Sequence, residues 1–134
     1  MAKIGELEVK TINIRDDAAT GYAQGTTSVT AANEASGPVY IRASADVSYA
    51  TGGGGGTGAT YQVVVTRDSD SKEVARGQVS FSGSTPQTKA IGAAGVDMTA
   101  GGDESYSAVF SQISGAGAAS STNRILAAGW DTKH

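Results

Sequence analysis

Between Val39 and Tyr49 apolar and polar residues alternate without a break. Val39, Ile41, Ala43, Ala45, Val47 and Tyr49 share one parity; Tyr40, Arg42, Ser44, Asp46 and Ser48 share the other. Successive side chains of a strand point to opposite faces, so this run predicts a strand buried on one side. The kind of apolar residue used extends the inference to the whole chain. Val and Ile number 18 against two Leu. Such β-branched side chains are restricted in a helix and pack well on a pleated surface. No stretch of ten residues keeps a 3.6-residue period, so the expected class is all-β.

Further strands follow from the same pattern. Tyr61 to Arg67, with three consecutive valines, predicts a strand covered on both faces. Asp68 to Ser71 predicts a turn, and Val74 to Ser82 the returning strand of an antiparallel hairpin. Lys89 to Ile91 and Val96 to Met98 read as two short strands, and Ser105 to Ser114 as another. Gly115 to Ser121 reads as a break, and Asn123 to Trp130 as the last strand. Near the start, Leu7 and Val9 alternate in one parity and Ile12 and Ile14 in the other, which predicts a bulge near Lys10 and Thr11. Residues 15–37 hold Tyr22 and Val29 as their only large apolar side chains and read as a long loop or arm. The expected organisation is a strand and extended N-terminal arm over 1–37 and a single β-sandwich over 38–134. Jelly-roll-like and immunoglobulin-like topologies both remain open.

Composition sets the limits of the core and of the partners. Thirty large apolar residues stand among 22 Ala and 19 Gly in a chain of 134, so the core is thin. Oligomerisation is a common remedy for that. Ten basic and thirteen acidic residues leave no basic stripe for nucleic acid or an anionic membrane. No apolar run reaches 18 residues, and Met1 to Lys10 has no apolar core of the secretory type. The expectation is a protein made in the cytoplasm without a signal peptide.

Candidate chemistry is sparse. Cysteine is absent, and the sole histidine, His134, is the last residue, a poor place to hold a general base. The glycines at 52–56 lead into a strand rather than a helix and so lack the context of a phosphate-binding loop. Asp68, Asp70 and Glu73 begin like a calcium loop, but Glu73 and Val79 occupy the positions of its glycine and its last acid. No catalytic, cofactor or metal residues are expected, and the chain does not read as an enzyme. Tyr49, Tyr61 and Tyr106 read as core or corner residues, and Tyr40 and Trp130 as exposed contacts. The candidates for partner binding are Leu7, Val9, Ile12, Ile14, Tyr22, Tyr40 and Trp130.

From Met98 the chain runs Met-Thr-Ala-Gly-Gly-Asp-Glu-Ser-Tyr106-Ser-Ala-Val-Phe, then a small-residue turn, then Asn-Arg124-Ile-Leu-Ala-Ala. This stretch resembles the C-terminal hairpin of β-sandwich domains in tailed-bacteriophage virion proteins. The resemblance implies a homotrimer in a virion, bound to the major capsid protein or another virion protein. A capsid decoration protein is the first expectation. A tail-fibre tip or receptor-binding module for a host-surface glycan or protein is the alternative. The lack of heptads, collagen-like triplets or shaft repeats favours decoration, and a secreted carbohydrate-binding domain fits the sparse aromatics poorly.

Overall fold

The computed structural model describes residues 20–31, 38–98 and 103–131. At its centre lies the expected hairpin: β4 (Ala59–Arg67) and β5 (Lys72–Phe81) pair antiparallel around the Asp68–Ser71 turn. Outside it, β3 (Val39–Ala50) pairs with β6 (Gln87–Asp97), then β2 (Ser28–Ala31) with β7 (Glu104–Ser114), and β1 (Thr20–Gly25) with β8 (Ala118–Asp131). All four pairs are antiparallel, as in one long hairpin rolled up on itself. Rolling sorts the strands into two four-stranded sheets, ordered β1-β8-β3-β6 (sheet A) and β2-β7-β4-β5 (sheet B). This connectivity is that of an eight-stranded jelly roll, which decides between the two topologies left open.

The inner faces follow from period two. On β3, Val39, Ile41, Ala43, Ala45, Val47 and Tyr49 are all buried, and the opposite parity faces out. On β4 the buried residues alternate with half-buried ones, so Val64 is only partly covered rather than packed on both faces. Tyr49, Tyr61 and Tyr106 are core residues as expected. Tyr49 stacks on Phe81 with ring centroids 5.0 Å apart, and its hydroxyl donates to Gly83 O at 2.6 Å. The Tyr61 and Ser121 hydroxyls meet at 2.8 Å and join the two sheets.

The sandwich closes along the β5–β6 edge because glycine stands there. A Cβ on Gly77 would lie 2.0 Å from Gly92 O, and one on Gly95 would lie 1.9 Å from Val74 O. Two backbones can approach this closely because the residue that points at the other strand, Gly77 or Gly95, carries no side chain.

Three expectations change. Residues 20–31, read as part of an extended arm, form β1 and β2, which pair with β8 and β7 in opposite sheets. Their inner positions are filled by small residues, Gly21, Ala23 and Ala31, together with Val29, so the strands carried little apolar signal. The short strands at 89–91 and 96–98 fall on a single β6 ending at Asp97, because the Ala/Gly run between them keeps its ladder to β3 without a break. The break at 115–121 shrinks to a tight turn, and β8 starts at Ala118. Leu7, Val9, Ile12, Ile14, the bulge near Lys10 and His134 lie outside the described residues.

Candidate binding surface

The outer face of sheet A holds most of the exposed large apolar side chains among the described residues. Tyr22 is 67% exposed and Tyr40 51%, with Val96 and Ile125 also outward and Met98 just beyond β6. Register places them. Tyr22 lies opposite Gly129, Gly129 opposite Tyr40, and Tyr40 opposite Val96, which makes one row across all four strands. The next row is Gln24, Ala127, Arg42 and Ala94. Two tyrosines therefore stand two strands apart, with Gly129 between them. Ala127 continues this low floor towards the middle of the sheet.

The result is an open trough of about 580 Å³ walled by Tyr22 and Tyr40. A shallower depression of about 320 Å³ continues past Arg42 over Gly92 and Ser44. The Tyr22 hydroxyl donates to Gln24 Oε1 at 2.6 Å, tying the ring along its own strand. Arg42 sits where the two depressions meet. Of the four arginines among the described residues, Arg67, Arg76 and Arg124 make side-chain hydrogen bonds, and Arg42 makes none.

The end of this face is anchored from inside. Asp97, the last residue of β6 and the neighbour of Val96, is buried. It accepts two hydrogen bonds from Arg67 Nη1, both at 3.1 Å, and one from the Tyr106 hydroxyl at 2.7 Å. Burial, then the hydrogen bond to Asp97, pushes the Tyr106 phenol well above its ordinary range. Arg67 also donates Nη2 to Asp70 Oδ2 at 2.7 Å, and that hydrogen bond is the main cause lowering the Asp70 carboxyl to about 2. This clasp joins sheet A, sheet B and the β4–β5 turn beneath the Tyr40–Val96 row.

Of the residues proposed from sequence, Tyr22 and Tyr40 come together at the trough. Trp130 does not. It is 6% exposed and packs inward, because the parity of β8 points Leu126, Ala128 and Trp130 into the core. Gly21, opposite it, leaves room for the indole: a Cβ there would lie 2.1 Å from the Trp130 ring. The acids considered for calcium have other partners. Asp70 binds Arg67, Asp68 accepts from Ser107 Oγ at 2.8 Å, and Glu73 pairs with Arg76 at 2.6 Å. No group of three His, Cys, Asp or Glu side chains suited to a metal occurs among the described residues. Sequence reasoning missed Gly129 and Arg42. A glycine inside an apolar strand pattern marks a close approach or an empty place, and that signal was available.

Neither a protein-family model nor a curated protein matches this chain. Among solved structures, the chain is similar to one described as the tripod (BppUct-A-L) from the baseplate of bacteriophage Tuc2009. The match covers 99% of this chain and 76% of that one, at 10% sequence identity and a TM-score of 0.51. At that identity the likeness is one of fold.

Proposed function

We propose that this chain is a non-catalytic structural module of a tailed-phage virion, carried on a tail appendage of the baseplate type. There it presents the outer face of sheet A to the host surface. The observation that carries this reading is the fold likeness to the Tuc2009 baseplate tripod along nearly the whole chain. The Tyr22–Tyr40 trough supplies the exposed aromatic contact that a receptor-binding module requires. Head decoration rests on the sequence features alone and takes second place. In the proposed assembly the protein is a homotrimer, as the thin core favours. Leu7, Val9, Ile12 and Ile14 would contribute contacts to a neighbouring virion protein.

Immunogold labelling of intact particles, with copy number by quantitative mass spectrometry, tests the location. Label at the tail end and tens of copies or fewer are expected. Label over the head with hundreds of copies would restore the decoration reading. Sedimentation equilibrium across a wide concentration range tests the trimer; a monomer at every concentration would end it.

A further inference from the structure

We infer that the trough on sheet A binds a saccharide carrying an anionic group, with the sugar ring between Tyr22 and Tyr40 and the anion on Arg42. The inference rests on the reading of this face as host-directed, and it names the chemistry that the face selects.

Spacing is the first argument. The two tyrosines rise from strands two apart, roughly 9.5 Å at the usual strand separation. Carbon contacts at about 3.5–4.0 Å on each side leave room for one ring between the walls and not two. Small floor residues, Gly129 and Ala127, keep that slot open down to the backbone. A sugar ring offers C–H faces to both phenols and leaves its hydroxyls towards the open side of the trough.

The second argument is charge. Arg42 lies one row along from Tyr40 and has no counter-ion among the described residues. The described acid on the same face of β3 is Asp46, four residues further on and bonded to Asn123 Nδ2 at 2.9 Å. A guanidinium presents a planar donor fork that fits a carboxylate or a phosphate. An unpaired fork beside an aromatic slot thus selects an anion attached to a ring.

A peptide is the competing occupant, and the floor argues against it. β8 and β3 are paired along both edges here, so their backbone groups are already used. An extended peptide laid across this face would find no ladder to join, the main source of affinity in strand addition.

The full chain, labelled with ¹⁵N, would be titrated with four probes and followed by amide shifts. The probes are a glucuronate-terminated disaccharide, its 6-phosphorylated glucose counterpart, the neutral glucose disaccharide and a glutamate-rich peptide. Shifts centred on Tyr22, Tyr40, Arg42 and Gly129 are expected, with an anionic sugar binding at least tenfold tighter than the neutral one. Whichever anionic sugar binds better identifies the anion as carboxylate or phosphate. Arg42→Ala should remove the tenfold difference and leave the neutral binding. Tyr40→Ala, or Gly129→Val as a plug in the floor, should remove binding of all the sugars. These positions face outward, and an unchanged amide spectrum elsewhere confirms that each variant folds. Equal binding of neutral and anionic sugars, preference for the peptide, or no shifts at the trough would each overturn the inference. The titration uses the isolated protein, so its outcome is independent of where labelling places the chain on the particle.

Discussion

One corner of the molecule carries the same construction twice, once on each side of the β1–β8 ribbon. On the inner side Gly21 faces Trp130, and on the outer side Tyr22 faces Gly129. Each pair sets a large aromatic residue beside a residue with no side chain. Inside, the indole lies over the glycine and the space is filled. Outside, nothing in the described chain covers Gly129, and the same pairing leaves a trough. The outer face of sheet B shows what a face without that construction looks like. There Arg76 binds Gln62 and Glu73, Gln78 reaches Gln62, and Val64 lies beside Val109. Its long polar side chains satisfy one another. A sheet face becomes a candidate for binding when its register leaves aromatics standing over gaps.

The comparison breaks if the inner pair is not structural. Trp130→Ala removes a buried aromatic and is expected to cost about 3–5 kcal/mol in stability, measured by urea unfolding. Tyr40→Ala, on the outer face, should stay within about 0.5 kcal/mol. Comparable losses at the two positions would mean that Tyr40 is held by contacts the fold does not show. Next in size is Tyr106→Phe, which deletes one hydrogen bond to the buried Asp97 carboxylate. A loss of about 1.5–3 kcal/mol is expected, the range for hydrogen bonds to charged groups. An unchanged unfolding midpoint would show that Asp97 does not need that donor. Gly21→Ala places a methyl against the Trp130 ring and should cost about 1–3 kcal/mol by overpacking.

Acid sharpens the comparison from another side. The hydrogen bond from Arg67 holds Asp70 at about 2, and the hydrogen bond from Arg76 lowers Glu73 below its ordinary value. Both carboxyls are depressed in the folded state. Their contribution is therefore complete above the unfolded values near 4 and is lost as pH falls below them, for Asp70 towards 2. Melting temperature should decline through that window, and Asp70→Asn should flatten part of the decline. Both groups are about half exposed, so solvent screening keeps the effect modest. A variant with an unaltered acid limb would remove Asp70 from the account.

What the sequence revealed and concealed follows the same division. β3, β4 and β5 were legible because Val, Ile and Tyr alternate with Arg, Ser and Asp, and alternation is the direct imprint of one buried face. β1, β2 and most of β6 were not, because apart from Val29, Ile91 and Asp97 their inner positions are Gly and Ala, which bury little and carry no period. Such strands fold because longer neighbours recruit them, and that information lies in β8, β7 and β3. Tyr22 and Tyr40 were found as candidates one at a time. Their meeting across Gly129 depends on register between strands far apart in sequence. Trp130 was misplaced because aromatic identity alone does not give parity, and the bulge of β8 between Thr122 and Ile125 resets parity before Trp130 is reached.

The smallest expected effect is also the most discriminating. Gly129→Ala adds one methyl to the outer floor, where the nearest atom beyond its own neighbours is Gly21 O at 3.8 Å, an ordinary contact. No left-handed backbone is required at this position, so alanine enters without strain. Glycine inside a strand is less favourable than alanine by roughly 0.5–1 kcal/mol, largely through the entropy of the unfolded chain. The variant should therefore gain a few tenths of a kcal/mol, or about 1–2 °C in melting temperature. Gly21→Ala, its neighbour across the ribbon in the adjoining register pair, is expected to move the other way. Opposite signs from one methyl on the two sides of the ribbon would mean that the inner gap is closed by the fold and the outer one is left for a ligand. A loss at Gly129 as large as that at Gly21 would mean that the trough is already filled, and the case for a binding face would fall with it.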